Sequence, residues 1–348
     1  MSGVAEFFNT DFQQLSVRYD QNQSAAWFYM NPSPRACFTP TLLTEIKQFQ
    51  QKVSENYHSL REYNRHPVNY IVLASQTPGI FNLGGDLNLF AQHIEEKNRD
   101  HLLQYATACV EVLHTNAINF ALPVTTISLV EGSALGGGFE AALSSNILVA
   151  ERNAEMGLPE ILFNLFPGMG AYSLLARRVG MARAEKIITS GKIYTADELY
   201  EMGIVDVLAE EGQGREAVNE YIRKHKRSSN GLRAIQAARQ RYNPVNYDEL
   251  MDITKIWVDA ALQLTKKDLR MMKKLVGAQD NKRARLITEL GSLQKVRTSQ
   301  DRRIEIADTF PLVDASGSVI QYDRRKNRDR RQILIKDEPE KIVAVRAG

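Results

Sequence analysis

The stretch Gly132-Ser-Ala-Leu-Gly-Gly-Gly-Phe-Glu140 contains the sequence signal that decides the fold. It follows an apolar run at residues 124–130, which predicts a buried strand, and it leads into a predicted helix that begins at Gly137. A second stretch, Phe81-Asn-Leu-Gly-Gly-Asp86, also lies where a predicted strand gives way to a helix. Because the first amides of a helix have no partner within it, both stretches would present free backbone N–H groups.

Predicted strands and helices alternate on both sides of this stretch. Residues 15–30 predict a strand, a turn and a second strand, and residues 41–74 predict a helix followed by an apolar strand. The later predictions are a helix over 87–116, strands at 147–150 and 204–208, and helices near 172–179, 184–190, 196–202, 215–226 and 245–275. Strands that alternate with helices favour a largely parallel sheet with covered faces, so the predicted fold class is α/β.

The composition changes beyond about residue 291, where arginines become frequent. The arginine cluster at residues 324–331 is interspersed with Asp323 and Asp329, which indicates a solvated, flexible segment. The alternative is a tail that docks an acidic partner. We therefore divide the chain into an N-terminal extension at 1–14, a core at 15–205, a helical region at 206–290 and a basic tail at 291–348.

Bulk composition excludes several classes of protein. The chain has 348 residues, of which 43% are hydrophobic, enough for one large globular domain. Its formal net charge is only +3, and the arginine cluster lacks interleaved aromatics, so we expect no binding to nucleic acid. Cys37 and Cys109 are far apart and the six histidines show no ligand spacing, so we expect no metal site and no disulfide. Without a signal peptide pattern or a bilayer-length apolar run, the chain is expected to be cytoplasmic, without membrane insertion.

Two glutamates and two glycines are candidates for chemistry. Glu140 falls in the first turn of its helix, where a carboxylate is also a common capping or surface residue. Glu160 lies in Met156-Gly-Leu-Pro-Glu-Ile-Leu-Phe163, where burial would raise its pKa, although a helix cap after the proline is the plainer reading. The amides of Gly85 and Gly137 could hold a developing oxyanion, or these glycines could simply mark tight turns.

Motif order resolves this ambiguity. The Gly-Gly-Asp86 string, then Ala134-Leu-Gly-Gly-Gly-Phe-Glu140, Leu158-Pro-Glu-Ile-Leu-Phe163 and Phe166-Pro-Gly-Met-Gly170 closely resemble the enoyl-CoA hydratase/isomerase (crotonase) superfamily over residues 15–280. The resemblance implies a crotonase (ClpP-like) spiral of ββα units with a C-terminal helical region.

The same resemblance implies a role for each candidate residue. Gly85 and Gly137 match the oxyanion-hole positions of the superfamily, and Glu140 and Glu160 match its two catalytic glutamates. Many relatives lack one or both of these acids. The resemblance implies no cofactor.

Within the superfamily, three strings resemble bacterial diffusible-signal-factor synthases: Phe81-Asn-Leu-Gly-Gly-Asp-Leu87, Gly138-Phe-Glu-Ala-Ala-Leu-Ser144 and Leu165-Phe-Pro-Gly-Met-Gly-Ala-Tyr-Ser173. Such enzymes dehydrate a 3-hydroxyacyl group on acyl carrier protein to the cis-2-enoyl form and then hydrolyse the thioester. The implied product is a cis-2-unsaturated fatty acid, a quorum-sensing signal.

Four further residues are expected to line the substrate site. These are Leu135, Gly136, Met169 and Trp257, and Met169 follows Pro-Gly in the loop after Glu160. Trp257 lies on an apolar helical stripe, for which ordinary core packing is the alternative interpretation.

The expected partner is an acyl carrier protein or CoA thioester. Both are anionic, and basic residues at Arg177, Arg178, Arg183 and Lys186 suit either. The resemblance implies a homotrimer or hexamer. Two alternative functions stay open: a trans-2-enoyl-CoA hydratase without thioesterase activity, and a largely non-catalytic homologue that holds a partner such as a sensor kinase.

Overall fold

The computed structural model of the chain describes residues 11–63 and 68–277, except for the side chains of 58–63, and four strands between Leu312 and Arg346. The chain divides into two compact units, Met1–Ile287 and Thr288–Gly348. This division lies close to position 291, where the sequence predicts the start of the tail. The arginine cluster at 324–331 lies outside the described residues, as do the first ten residues of the predicted N-terminal extension.

Ten strands are described in the first unit. They are β1 (Leu15–Asp20), β2 (Ala25–Met30), β3 (Tyr70–Ser75), β4 (Ile80–Asn82), β5 (Thr125–Val130), β6 (Ser133–Leu135), β7 (Ile147–Glu151), β8 (Glu155–Gly157), β9 (Ile193–Thr195) and β10 (Val207–Ala209). A main sheet has the order β1-β2-β3-β5-β7-β10, and a smaller sheet has the order β4-β6-β8-β9. The β1–β2 and β8–β9 pairs are antiparallel and the other pairs of both sheets are parallel.

The helices described in this unit are α1 (Pro40–Tyr63), α2 (Leu87–Glu95), α3 (Arg99–Ala117), α4 (Gly137–Leu143), α5 (Ala171–Val179), α6 (Met181–Ser190), α7 (Ala196–Glu201), α8 (Gly214–His225), α9 (Ser229–Tyr242), α10 (Tyr247–Ala261) and α11 (266–277). Short 3-10 helices lie at Asn119–Ala121, Pro159–Phe163 and Lys226–Ser228.

The main sheet is covered on both faces, as its apolar strands require. All six residues of β5 are buried, and so are five of the six in β3. Val218 and Ile222 of α8 pack with Trp27 and neighbouring strand residues on one face. The larger core cluster, which includes side chains of α1 and α3, lies on the other face. Continuous apolar strands of this kind are typical of parallel sheets between helical layers.

A repeated ββα unit links the two sheets. In each of the pairs β3–β4, β5–β6 and β7–β8, the first strand joins the main sheet and the second joins the small sheet. Each second strand is followed by a helix: α2, α4 and the 3-10 helix Pro159–Phe163. Since β4, β6 and β8 are parallel neighbours, the segments that follow them emerge at one edge of the small sheet.

The structure corrects several local expectations. The single helix predicted over 245–275 is wrong, because α10 and α11 are separate helices with residues 262–265 between them. The prediction of one helix over 87–116 is wrong, because α2 and α3 are separate and Lys97 between them has a left-handed φ of 55°. Helix α9 was not predicted at all. Strand β10 pairs with β7, so the main sheet extends past position 205, where the sequence placed the end of the core.

The second unit contains a four-stranded antiparallel sheet. Its strands are β11 (Leu312–Val313), β12 (Val319–Ile320), β13 (Gln332–Glu338) and β14 (Lys341–Arg346). The longest pairing joins β13 and β14 and contains an irregularity between Lys336 and Glu338. These strands lie within the segment that the composition marks as an appendage.

Candidate active site

Three candidate residues follow the carboxyl ends of three neighbouring strands. Gly85 follows β4, Gly137 follows β6 and Glu160 follows β8. Because these strands are parallel and adjacent, the chain positions that succeed them meet at one edge of the sheet. The repeated ββα unit therefore brings together residues that are far apart in the sequence.

The two glycine stretches touch each other. Gly84 has a φ of +92°, and a β-carbon there would lie 2.8 Å from the Leu135 carbonyl oxygen and 2.9 Å from the Gly137 nitrogen. A β-carbon at Gly137 would lie 3.4 Å from the nitrogen of Gly85. Glycine is required at position 84 both by the left-handed backbone and by this close approach.

The amides of Gly85 and Gly137 are available to a ligand. Neither donates a hydrogen bond to an acceptor in the described part of the chain. Gly137 is the first residue of α4, where intrahelical acceptors are lacking. Two adjacent N–H groups of this kind can stabilise negative charge on a carbonyl oxygen.

Glu140 is buried, with 2% of its surface exposed. Its Oε1 accepts hydrogen bonds from the backbone amides of Met169 at 3.0 Å and Ala171 at 2.8 Å. Burial raises the pKa of Glu140 to about 7, although the amides of Ala171, Met169 and Gly170 oppose this by favouring the ionised form. Near neutral pH its carboxyl group can therefore either take up or release a proton.

Glu160 lies in the 3-10 helix that follows β8, directly after Pro159. The residue is partly exposed, but its Oε2 is shielded from solvent and has no hydrogen-bond partner in the described part of the chain. Burial raises the pKa of Glu160 to about 8, and the charge of Glu140 also raises it. A carboxyl oxygen without a protein partner is free to bond a substrate or water.

An apolar cavity lies next to Glu140. It is also lined by Gly137 and Met169. Its apolar lining includes Phe28, Phe38, Leu43, Ile46, Leu73 and Val112. A site with this lining suits a hydrocarbon chain.

The four residues expected to contact substrate are placed differently from one another. Met169 lines the cavity. Leu135 is half-buried, and its carbonyl contacts Gly84. Gly136 has a φ of +53°, and its Cα faces the carboxyl group of Glu160. These three therefore surround the candidate catalytic groups.

Trp257 is not part of the cavity lining; it lies in the core with 2% of its surface exposed. Its ring lies 5.0 Å from that of Phe90 and against Gly168, whose carbonyl accepts a hydrogen bond from Thr254 at 2.8 Å. Helix α10 thereby holds the loop whose Met169 amide bonds Glu140. The placement agrees with the alternative interpretation of core packing.

Sequence reasoning missed Asn82, which shapes the turn before Gly85. Asn82 is fully buried, and its Oδ1 accepts a hydrogen bond from the Gly84 amide at 2.8 Å. Its Nδ2 contacts the sulfur of Met30 at 3.6 Å. The signal was present, since asparagine two residues before a glycine often forms such a side-chain turn.

The described residues lack two features that other classes of protein possess. They contain no group of three histidine, cysteine or acidic side chains that could hold a metal ion. Within the same part of the chain, every helix is too short or too polar to cross a lipid bilayer.

Comparison with known proteins identifies the family. The family model described as enoyl-CoA hydratase/isomerase matches residues 47–250, more than half of the chain. The chain belongs to this family. The crotonase fold, with its helical C-terminal region, is shared with solved structures, and the predicted fold class is confirmed.

Individual crotonase relatives match shorter segments. The mitochondrial methylglutaconyl-CoA hydratase of Rattus norvegicus is 33% identical over 150 residues, which are 43% of this chain and 45% of the relative. The probable enoyl-CoA hydratase 2, mitochondrial, of Arabidopsis thaliana is 28% identical over 180 residues, 51% of this chain and 56% of the relative. The chain thus spans about half the length of the curated crotonases it matches.

Solved crotonase structures cover more of the chain. The structure of DspI from Pseudomonas aeruginosa has a TM-score of 0.55 and 26% identity, covering 68% of this chain and 91% of DspI. The enoyl-CoA hydratase of Bacillus halodurans has a TM-score of 0.65 and 16% identity, covering 75% of this chain and 100% of that one. The second likeness concerns the fold alone.

Proposed function

We propose that this crotonase eliminates water between C2 and C3 of a fatty acyl thioester, with Glu140 and Glu160 as the acid/base pair. One observation supports the proposal above all others. Two carboxyl groups whose pKa values are raised to about 7 and about 8 adjoin the glycine string that contains the Gly137 amide, and the carboxyl group of Glu140 also borders the apolar cavity. Acid/base groups with pKa values near the working pH are the most effective proton-transfer catalysts.

The first reaction step is the elimination itself. The amides of Gly85 and Gly137 bond the thioester carbonyl oxygen, which makes the C2 proton more acidic. One glutamate removes that proton, the C2–C3 double bond forms, and the C3–O bond breaks. The other glutamate protonates the departing hydroxyl group, which leaves as water. After this step the glutamate that took the C2 proton is protonated and the other is ionised. The following step must therefore return a proton to the second glutamate.

We further propose that the same site hydrolyses the thioester, as in diffusible-signal-factor synthases. A water molecule activated by a glutamate attacks C1, and the two amides stabilise the tetrahedral oxyanion. The C–S bond then breaks, and the thiol leaves with a proton from the site. The released product is a cis-2-unsaturated fatty acid. The three strings shared with those synthases support this proposal, and the partnerless Oε2 of Glu160 could orient the water.

The carrier and the assembly are part of the proposal. An acyl carrier protein or CoA would present the thioester, with the acyl chain in the cavity beside Met169. We propose a homotrimer or a pair of trimers, formed through the helical region at 206–290 of each copy. The core at 15–205 would contain the catalytic groups of each copy.

A second candidate is a trans-2-enoyl-CoA hydratase without thioesterase activity. It is favoured by the names of two relatives, which are both hydratases of CoA thioesters. A non-catalytic binding protein is less well supported, because both glutamates and both glycines are present and adjacent.

The deciding experiment uses the purified chain with 3-hydroxyacyl carrier protein, 3-hydroxyacyl-CoA and crotonyl-CoA. Mass spectrometry of the products should show a free cis-2-enoic acid from a 3-hydroxyacyl substrate. Reversible hydration of crotonyl-CoA without free acid would instead support the hydratase, and no conversion of any substrate would refute both. Glu140→Gln and Glu160→Gln should each lower turnover by about 10²- to 10⁴-fold.

Glu131 offers a matched control for these variants. Burial also raises the pKa of Glu131 to about 7, with a further contribution from the charge of Glu151. It lines no part of the cavity beside Glu140. Glu131→Gln should therefore keep normal turnover, which would show that the loss in the other variants reflects their position and not the removal of any acid with a raised pKa.

A further inference from the structure

A buried side chain of α1, that of Gln50, lies between the apolar cavity and a surface cleft. Gln50 of α1 has 3% of its surface exposed and lines the cavity. Its Nε2 donates a hydrogen bond of 2.8 Å to the carbonyl oxygen of Val112 in α3. The bond joins the two helices across the gap between them.

The same side chain also borders the outside of the molecule. Gln50 contributes to a surface cleft between α1 and α3, whose other lining residues include Lys47, Gln51, Glu55 and Glu111. Gln51 and Glu55 are exposed, and Lys47 forms an ion pair of 2.7 Å with Glu111. Gln50 lines both spaces, so its side chain separates the apolar cavity from this cleft.

Two opposite parts of the cavity wall come from different elements. Gly137 and Glu140 lie where the reacting thioester would sit, whereas Leu43, Ile46 and Gln50 come from successive turns of α1. Their spacing of three and four residues puts them on one face of that helix. An acyl chain that enters past Glu140 would therefore run along this face and end against the Gln50 amide.

We propose that Gln50 is the specificity-determining residue that sets the longest acyl chain the site accepts. This inference rests on the proposed function, because it assumes an acyl substrate in the cavity. A methyl terminus that reaches Gln50 gains no hydrogen bond from it and is blocked by the volume of its side chain, which the bond to Val112 orients. Removing the side chain would join the cavity to the cleft and allow longer chains to extend between α1 and α3.

The quantity to measure is the dependence of kcat/KM on acyl chain length. For chains that end inside the cavity, each added methylene should raise kcat/KM by about fourfold, the factor that corresponds to about 0.8 kcal/mol per buried CH₂. At the length where the terminus meets Gln50, the wild-type profile should fall. In Gln50→Ala the rise should continue past that length, while shorter substrates react as in the wild type.

Three further variants separate closure from other effects. Gln50→Leu keeps the side-chain volume without the hydrogen bond, so it should accept acyl chains up to the same length as the wild type. Gln50→Ser also removes most of the side chain but keeps a polar group. It serves as the second opening variant if Gln50→Ala is unstable. Gln51→Ala is the matched control, because Gln51 lines the cleft but not the cavity. Thermal unfolding of each variant checks that it is folded.

Binding measured without catalysis separates this inference from the proposed function. Calorimetric titration with S-alkyl thioethers of CoA and of acyl carrier protein, from butyl to hexadecyl, reports chain-length preference even in an inactive protein. A longer limit in both opening variants, unchanged in Gln51→Ala, supports the role of Gln50 whether or not turnover is seen. If Gln50→Ala and Gln50→Ser bind chains no longer than the wild type does, the role of Gln50 is overturned and the proposed function stays intact. Failure of every thioether to bind the wild type overturns both.

Discussion

The carboxyl group of Glu160 occupies the space in which a β-carbon of Gly136 would lie. The backbone of Gly136 also forms hydrogen bonds with β8 and α4. Its amide donates to the Gly157 carbonyl at 2.9 Å, and its carbonyl accepts from the Glu140 amide at 3.0 Å. One residue without a side chain therefore positions both acids. Gly136, the first glycine of the Gly-Gly-Gly string, is required for the site as well as for the turn.

Substitution of Gly136 by alanine should abolish most activity. The new methyl group would displace the Glu160 carboxyl, so kcat should fall by about 10²- to 10⁴-fold, the usual contribution of a general acid or base. The left-handed φ of +53° should also cost about 1–2 kcal/mol of stability. Steady-state kinetics and denaturant unfolding measure the two effects separately.

Gly203 provides the control for backbone strain. Its φ is +74°, and a β-carbon there would meet nothing within 4 Å. Gly203→Ala should lose about the same stability, about 1–2 kcal/mol, with unchanged kcat. Equal losses of activity in both variants would show that strain, and not displacement of Glu160, explains the effect at position 136.

The rate should depend on pH through the two acids together. Turnover needs one carboxyl group ionised and the other protonated. It should therefore rise as the pH increases through about 7 and fall as it increases through about 8, following the raised pKa values of Glu140 and Glu160. Because the groups interact, these limits belong to the pair and not to either residue. A profile of kcat/KM that stays flat from acid to alkaline pH would contradict the assignment.

Glu160 should make the folded protein less stable at alkaline pH. Its pKa is raised from 4.5 to about 8 on folding, so the folded state binds the proton more tightly. The favourable contribution is complete below about pH 4.5 and is lost as the pH rises to about 8. The slope is at most about 1.4 kcal/mol per pH unit, and less in practice because the residue is partly exposed.

Glu160→Gln tests this linkage, since glutamine has no ionisable proton. The variant should match the wild type near pH 4.5 and become progressively more stable than it up to about pH 8. Denaturant unfolding across this range gives the difference directly. A constant difference at all pH values would mean that the Glu160 carboxyl is not desolvated in the folded protein.

The sequence predicted the long elements and the chemical groups of the site better than their geometry. Strands β3 and β5 have continuous apolar runs, which periodicity detects. Strands β4, β6 and β8 have three residues each, too few to show a period, so the smaller sheet was not predicted. That sheet is what brings Gly85, Gly137 and Glu160 together.

The pairing of Glu140 with Glu160 came from motif resemblance and not from physical reasoning about single residues. Each acid alone fits a helix cap equally well. Their raised pKa values depend on burial by distant segments, such as the loop that contains Met169, which no local pattern reveals. Gln50 could have been found, because its spacing from Leu43 and Ile46 puts a polar residue on an apolar helical face.

The last prediction concerns Asn82, which holds the Gly84 amide and through it the turn that presents Gly85. Asn82→Ala removes a buried hydrogen bond, which should cost about 1–3 kcal/mol of stability. It should also lower kcat by about tenfold with little change in KM, since a misplaced oxyanion donor weakens transition-state binding more than substrate binding. Asn146 is the control, because its buried Oδ1 likewise accepts from a backbone amide, that of Thr126 at 3.0 Å, outside the acyl cavity. Asn146→Ala should lose similar stability with normal kcat, and an equal fall of kcat in both variants would remove Asn82 from the catalytic argument.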